Sequence, residues 1–315
     1  MLDLFRAAAP GRALLAPLLT LLAVLGAAGP ALALDTCPAG FVAVSPATFT
    51  MGALATDQDA FSDEKPVHAV EITQAFCVQE TEVTQKQWFD VMGTRPWRSL
   101  PNPGDYTESD AVPVTGVSWH DAQDYIAEMN AADPSVTYRL PTEAEWELAA
   151  RANDPGDFRT IYGHGDDPAG LPDHAWFRDN TVEANPSQAW PHPVKTKLPN
   201  AWGLFDMTGN VMEWCSDWYD NDYYGVSPAR NPQGPAANAA LTGKVVRGGA
   251  FTSLSNGNDP DCRLSNRFTL APSANLVRDV GFRLVAVDRV PAKKTPASSG
   301  GGGGGGCFVG TAGSL

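Results

Sequence analysis

The sequence predicts an α+β domain with much irregular structure. Three short segments each begin with a helix-capping pattern, and several other short runs have the composition of strands. The chain also holds 30 glycines and 26 prolines in 315 residues, which exceeds the usual share of about one residue in eight. Long irregular loops between short elements are therefore expected.

Three capping boxes predict where the helices begin. In each box a Ser or Thr is followed, three residues later, by a side chain that can return the hydrogen bond to its backbone. The pairs are Thr84 with Gln87, Ser118 with Asp121, and Thr142 with Glu145. Apolar residues follow at helical spacing: Trp88, Val91 and Met92; Ala122, Tyr125, Ile126 and Met129; Trp146, Ala149 and Ala150. Glu143, Glu145 and Glu147 are interpreted as favourable charges in a first helical turn rather than as a catalytic pair.

Short strands are predicted where residues alternate or stay apolar for a few positions. These runs are Phe41–Val44, 49–51, 67–72 and 282–287. Loops as long as those between them usually need disulfides, bound metal or aromatic packing to hold them.

Residues 1–33 have the pattern of a signal peptide. Arg6 and Arg12 precede an apolar run at 13–26, and the small-residue triplet 31–33 provides a cleavage site. The alternative is a retained membrane anchor, but the run is shorter than the roughly 20 apolar residues that span a bilayer. We expect export, with cleavage near Ala33 and a periplasmic, cell-surface or secreted location, and no transmembrane segment afterwards.

The predicted domain occupies 34–290, a length sufficient for one large core. The tail, 291–315, contains a glycine run at 300–306 followed by Cys307, and a run without side chains predicts disorder. The tail also resembles glycine-plus-cysteine ends that serve in bacterial surface sorting. A sorting signal and a plain disordered end both stay open.

The formal net charge is −14. A surface of this sign repels nucleic acids and anionic membranes, so neither is expected as a partner. The excess of carboxylates favours sites for divalent cations.

Five cysteines are present, and in an exported protein they are expected to pair where geometry allows. We prefer Cys37 with Cys77 and Cys215 with Cys262, which leaves Cys307 over. Four cysteines permit three connectivities, and these stay open. No Cys-x-x-Cys motif indicates a zinc or thioredoxin-like site.

Several ordered blocks carry a resemblance to a known family. They are 49–52, 63–68, 82–84, 113–119, 138–147, 199–204, 206–214, 247–249 and 281–283. Across about 38–288 the chain resembles the formylglycine-generating enzyme family, whose domain is also called the sulfatase-modifying-factor domain. The resemblance implies a single compact α+β domain similar to C-type lectins.

The segment from Asp206 to Glu213 is the candidate metal site. Gly209 and Asn210 favour a left-handed backbone that turns carbonyl oxygens inward, and carboxylates with carbonyls suit Ca²⁺. The resemblance implies structural calcium held by the Asp206 and Glu213 side chains and by the backbone oxygens of Gly209 and Val211. The alternative is a turn whose carboxylates cap backbone N–H groups. A second calcium site near Asn180 lacks the later acidic part of the family pattern.

The run Arg247-Gly248-Gly249-Ala-Phe251 predicts a close approach of the backbone to a neighbour, and we expect it to border a groove for a peptide. The resemblance places the two reactive cysteines of the family's oxidase at Ser253 and Asn258. Neither can bind Cu(I) as thiolates do, so copper is not expected. Cys262, nearby, is interpreted as a structural cysteine, with a shifted catalytic role as the alternative.

The five histidines are scattered along the sequence. None forms a helical metal-binding pair, and each is interpreted as a surface or structural residue. His164 and His174 converging with a carboxylate on non-haem iron is an alternative.

Three functions are weighed. The leading hypothesis is an exported, calcium-stabilised domain without copper-dependent oxidase chemistry that acts as a binding or structural module for a peptide or protein. The second is an oxidoreductase of this family acting on a peptide or protein. The third is a sulfatase activator, which the missing cysteine pair disfavours.

Overall fold

In the part of the chain that the structure describes, the β structure consists of two four-stranded sheets and one two-stranded ribbon. The computed structural model describes residues 37–55, 57–101, 108–152, 160–181, 190–253 and 262–288. The strands are β1 (Phe41–Val44), β2 (Ala47–Met51), β3 (His68–Ile72), β4 (Phe76–Gln79), β5 (Val136–Arg139), β6 (Met212–Trp218), β7 (Lys244–Arg247), β8 (Phe268–Leu270), β9 (Val280–Gly281) and β10 (Val285–Asp288). The first sheet has the order β1-β4-β10-β5, the ribbon pairs β2 with β3, and the second sheet has the order β8-β7-β6-β9. All pairs are antiparallel except β6 with β9.

The chain passes from the second sheet to the first between β9 and β10. A single strand over 282–287 was predicted, and this is wrong because Phe282, Arg283 and Leu284 lie outside both strands. Val280 pairs with Met212 in one sheet, whereas Val285 pairs with Val78 in the other. This crossing brings Arg283 into the interior between the sheets, where it is 0% exposed.

The three longer helices begin where the capping boxes predict. They are α1 (Gln85–Met92), α2 (Trp119–Ala132) and α3 (Glu143–Arg151), and the reciprocal hydrogen bonds of each box are present. Two short helices follow, α4 (Leu171–His174) and α5 (Arg178–Thr181). All nine residues of α3 are buried, so its glutamates lie in the interior, with Glu143 and Glu145 in the first turn.

Two large apolar clusters form the core. One joins α3, the β2–β3 ribbon and the middle of β6, with Trp146, Phe76 and Cys215 among its buried members. The other joins α1, α2 and the interior of the first sheet, with Trp88 stacked on Tyr125 at a ring-centroid distance of 5.5 Å.

One disulfide joins Cys37 to Cys77 and ties the segment before β1 to β4. This part of the predicted pairing is confirmed. The predicted bond between Cys215 and Cys262 is wrong, because both side chains are buried in different apolar clusters and they form no disulfide.

All described residues belong to one compact unit that begins at Leu32. Within the described ranges, no helix is both long and apolar enough to cross a membrane. The predicted signal peptide at 1–33, the tail at 291–315 with Cys307, and Asn258 lie outside the described residues.

Candidate functional site

A buried arginine and three buried carboxylates meet between the two sheets. Arg283 donates from Nε to Glu213 Oε2 at 2.7 Å and from Nη2 to Oε1 at 2.6 Å. Its remaining hydrogen bonds reach the carbonyl oxygens of Gln79 and Phe205, both at 3.0 Å. Trp146 Nε1 adds a third hydrogen bond to Glu213 Oε2 at 2.8 Å. Glu213 is therefore held by a charged partner and a neutral donor.

Asp206 and Glu82 are the other two carboxylates. Asp206 Oδ2 accepts a hydrogen bond from the Lys195 backbone N–H at 3.0 Å, while Oδ1 has no hydrogen-bond partner in the described residues. Both side-chain oxygens of Glu82 lack such a partner in the same part of the chain. Asp206 is 2% exposed and Glu82 is 0% exposed. Buried polar atoms are usually hydrogen-bonded, so these three orphaned oxygens require an explanation.

Burial sets the protonation of this cluster. It raises the pKa of Asp206 to about 6, although Lys195 and Arg283 oppose the rise. Burial, reinforced by the charge of Asp206, raises the pKa of Glu82 well above its ordinary value. When all four groups are ionised, three carboxylates and one guanidinium give the cluster a net charge of −2. Protons or a divalent cation would neutralise it.

The backbone beside Asp206 is left-handed at three positions. Asp206, Gly209 and Asn210 have φ angles of 56°, 78° and 58°, and positive φ is uncommon for residues other than glycine. A Cβ on Gly209 would lie 2.3 Å from the Trp176 carbonyl oxygen. The Asn210 side chain accepts from the His192 N–H at 2.9 Å and donates to its carbonyl oxygen at 3.3 Å.

The predicted calcium ligands fit unequally. Asp206 keeps a buried oxygen free, as a ligand must, whereas Glu213 is already bound to Arg283 and Trp146. Among the residues that the structure describes, no three His, Cys, Asp or Glu side chains are arranged to hold a metal ion. A calcium ion here would therefore depend on backbone carbonyl oxygens for much of its coordination. The Asn180 side chain accepts from the Phe177 N–H at 2.9 Å and donates to the Ala175 carbonyl oxygen at 2.9 Å.

Arg247 lies in the interior instead of beside a groove. It is 1% exposed, and its guanidinium pairs with Glu143 and Glu147 of α3. Arg267 pairs with the same Glu143, from Nε to Oε1 at 2.7 Å and from Nη2 to Oε2 at 2.9 Å. Glutamates on the buried α3 thus meet arginines from β7 and from the segment before β8.

The burial of the predicted groove residues contradicts the prediction that they border a groove. Gly248 and Gly249 are buried at positive φ, and a Cβ on Gly248 would lie 3.0 Å from the Trp146 ring. Phe251 is 0% exposed and packs on Val211. Gly248 does allow close approach, as predicted, but its neighbour is the Trp146 ring in the core and not a ligand surface.

Ser253 closes a tight turn. It is 4% exposed, its Oγ accepts from the Ala250 N–H at 2.9 Å, and its own N–H donates to the Ala250 carbonyl at 2.9 Å. Its carbonyl accepts from the Arg178 N–H at 2.9 Å. No histidine or carboxylate in the described ranges hydrogen-bonds the hydroxyl.

Neither described thiol outside the disulfide is exposed. Cys215 is 0% exposed, and burial raises its pKa well above the ordinary value. Cys262 is 1% exposed and packs with Tyr162, Leu171 and Phe177. Buried thiols in apolar surroundings are poor nucleophiles and metal ligands.

His164 and His174 lie together but not as metal ligands. Their rings are stacked 4.7 Å apart with planes 8° from parallel. Parallel rings direct their in-plane nitrogen lone pairs along separate planes, so the two cannot converge on one ion. Asp206 lines the same small cavity, of about 20 Å³. The iron alternative is therefore not supported by this geometry.

Glu82 and Arg283 were not predicted as site residues. Both stand within blocks that carry the family resemblance, 82–84 and 281–283. Their position within these blocks was the signal in the sequence that could have identified them. Their proximity depends on contacts between residues 70 or more positions apart, which sequence spacing does not show.

The geometry defines an α+β domain whose short sheets are joined by long loops and held by buried arginine–carboxylate pairs. A profile of the FGE-sulfatase family, the sulfatase-modifying factor enzyme 1-like domain, matches residues 32–287. The chain therefore belongs to this family, and the predicted family and fold class are confirmed.

Two relatives differ in how much of their length the chain matches. The formylglycine-generating enzyme of Streptomyces coelicolor is 33% identical over 245 residues, covering 72% of this chain and 69% of that enzyme. The serine/threonine-protein kinase pkn1 of Chlamydia pneumoniae is 37% identical over 234 residues, covering 67% of this chain but 33% of the kinase. The chain thus spans about a third of that kinase.

Two solved structures share the fold. Treponema denticola variable protein 1 has a TM-score of 0.63 and 27% identity, covering 78% of this chain and 94% of its own. PvdO from Pseudomonas aeruginosa has a TM-score of 0.60 and 27% identity, covering 78% of this chain and 93% of its own.

Proposed function

We propose that this chain is an exported, calcium-stabilised member of its family that lacks copper-dependent oxidase chemistry and acts as a binding or structural module. The observation that carries the proposal is Ser253. It stands at the position that the family resemblance assigns to the first reactive cysteine, and its hydroxyl is engaged with Ala250 inside a turn. A hydroxyl does not bind Cu(I) as a thiolate does.

The nearest described thiol supports the same conclusion. Cys262 is the one cysteine close in sequence to the position of the expected pair, and it is 1% exposed within an apolar cluster. A reactive thiol needs solvent access and a stabilised thiolate. The interpretation of Cys262 as a structural residue is favoured by this packing.

Calcium is proposed at the Asp206 turn. The free Asp206 Oδ1, the left-handed backbone at 206, 209 and 210, and the negative charge of the surrounding carboxylates favour it. The ion would neutralise buried charge and hold the loop against the second sheet. Asp206 is the side-chain ligand, because the Glu213 carboxylate is already engaged.

Export is proposed from the apolar run at 13–26 and the oxidised pair Cys37–Cys77. Structural disulfides persist in oxidising compartments and are rare in the cytosol.

The second candidate is an oxidoreductase of this family. It is favoured by the 33% identity to the formylglycine-generating enzyme of Streptomyces coelicolor across most of the chain. The two functions differ in whether a thiol captures copper.

A Cu(I) titration against a competing chelator separates them. The wild-type protein is compared with Cys262→Ser and Cys307→Ser, each checked for folding by thermal melting. We expect no stoichiometric Cu(I) binding that depends on Cys262. Tight binding of one ion that disappears in Cys262→Ser would overturn the proposal and favour the oxidoreductase.

A further inference from the structure

We propose that a cavity beside Lys244, at the start of β7, binds a carboxylate that is carried next to an apolar group. The inference rests on the proposed role as a binding module and gives that module a ligand chemistry. The cavity has a volume of about 640 Å³, within the range of about 300–1,000 Å³ of small-molecule sites.

Residues from both sheets, the ribbon, α3 and the connecting loops form the walls. The turn between β3 and β4, the start of α3, the end of β6, the loop before β7 and the last strand β10 each contribute residues. Ile72, Phe76, Trp218 and Val287 provide apolar surface. Ligand sites combine such surface with a few placed polar groups.

Lys244 is the polar group that sets the ligand's charge. The residue is 5% exposed, and its Nζ lies 4.3 Å from the Trp119 ring centroid and 4.1 Å from that of Trp218. Nζ donates to the Ser216 carbonyl oxygen at 2.7 Å. An ammonium has three N–H donors, so donors remain, and Lys244 forms no ion pair with a carboxylate in the described ranges.

The other charges at the cavity are balanced. Arg139 donates to both oxygens of Glu145 at 2.6 Å, which neutralises this pair. Asp217, a buried acid next to the cavity residue Ser216, uses Oδ2 to accept from Glu143 N–H and Ser216 Oγ. Burial raises the pKa of Asp217 to about 7, so it offsets the Lys244 charge only in part. An incoming carboxylate would add a charge-assisted hydrogen bond to the ring contacts and the backbone bond that Lys244 Nζ already has.

The rim adds neutral donors and acceptors. Gln74 and Gln233 are exposed and line the cavity, and neither side chain hydrogen-bonds a described residue. They can bond an amide group beside the carboxylate. The chemistry thus fits an N-acylated amino acid or the C-terminal carboxylate of a peptide.

The test uses N-acetyl-L-phenylalanine and its primary amide, titrated by calorimetry and by NMR. We expect the acid to bind at least about tenfold more tightly than the amide, a difference of ~1.4 kcal/mol. A peptide ending in the same residue, with a free or an amidated terminus, forms the second arm. Tighter binding of the free-terminus peptide than of the small acid would identify peptide as the source, and the reverse would identify a free organic acid.

Three variants test whether Lys244 is the residue that selects an acid over an amide. Lys244→Met keeps the length of the side chain and should remove the preference for acid over amide. Because Lys244→Met can disturb the two tryptophans, Gln233→Glu, which places a negative charge on the exposed rim, should weaken acid binding without altering the melting temperature. Lys86→Met, on the exposed face of α1, is the control and should bind like wild type.

Equal affinity for acid and amide, a preference that survives Lys244→Met, or no binding of any probe at millimolar concentration would overturn the assignment. Such a failure leaves the copper titration unaffected. Thiol-dependent Cu(I) capture together with intact acid binding would overturn the proposed function instead.

Discussion

Arg283 and Glu213 form a buried two-point ion pair, with N–O distances of 2.7 and 2.6 Å and no more than 1% exposure for either residue. Arg283 stands where the chain crosses from the second sheet to the first, and Glu213 lies on β6. The pair therefore joins the two sheets. The Arg283 guanidinium also lies beside Asp206 and Glu82. Without it, the carboxylates of Glu213, Asp206 and Glu82 would lie together in the interior with no cation among them.

Replacing Arg283 with Met should destabilise the protein by about 3–5 kcal/mol, because it leaves buried carboxylates without their charged partner. Urea unfolding monitored by tryptophan fluorescence measures this. Arg230→Met is the matched control: Arg230 pairs with Glu71 at the surface, where side-chain exposures are 67% and 43%, and a change of about 0–1 kcal/mol is expected. Similar losses in both variants would contradict the role assigned to Arg283.

Gly209→Ala should be more destabilising than Gly203→Ala. The two glycines have φ angles of 78° and 80°, so both variants bear the same backbone strain of about 1–2 kcal/mol. A Cβ meets the Trp176 carbonyl at 2.3 Å in the first and nothing within 4 Å in the second. Because the backbone strain is the same in both, the difference between the melting temperatures of the two variants measures the free-energy cost of the clash alone. Equal melting temperatures would show that the loop at Trp176 moves away from the added Cβ with no loss of stability.

Asp217 should make stability fall as the pH rises. Its pKa is raised from 3.8 to about 7, first by burial and then by the charge of Glu143. The folded protein therefore holds a proton that the unfolded chain has lost, and this contribution is fully present below about pH 4 and lost as the pH rises through 7. Asp217→Asn keeps an oxygen acceptor for Glu143 N–H and Ser216 Oγ. It should flatten the dependence of the unfolding free energy on pH between 4 and 7. Identical profiles for the two proteins would contradict the assignment.

Removing calcium should lower the melting temperature. An ion present at 100 times its dissociation constant stabilises the folded state by about 2.7 kcal/mol, and each kcal/mol shifts the melting temperature by about 2–4 °C in a domain of this size. Asp206→Asn should abolish the response to chelator. The exposed Asp222→Asn should retain it. A wild-type protein that melts at the same temperature with excess calcium and with chelator would rule out the calcium proposal.

Local patterns predicted the helices well. The capping boxes at Thr84, Ser118 and Thr142 are complete in the structure, because each depends on residues three positions apart. β1 has the predicted bounds, and β2 and β3 overlap their predicted runs. The Cys37–Cys77 pair was preferred among three connectivities but not determined by the sequence.

The site was less predictable because its contacts are distant in the chain. Arg247 meets Glu143 across 104 positions, and Arg283 meets Glu213 across 70. A glycine pair such as Gly248-Gly249 indicates close approach without indicating to what, and here the neighbour is the Trp146 ring. Burial of Glu143 and Glu147 likewise depends on arginines that sequence spacing does not place beside them.

The most direct test of the central claim is an assay for oxidation of a cysteine-containing peptide. The purified protein is incubated with copper, dioxygen and the peptide, beside the formylglycine-generating enzyme of Streptomyces coelicolor as a positive control, and aldehyde is detected by mass spectrometry after hydrazide capture. With a hydroxyl at Ser253 and Cys262 buried, we expect aldehyde from the control enzyme alone. Catalytic formation of aldehyde by this protein, lost in Cys262→Ser, would contradict the account.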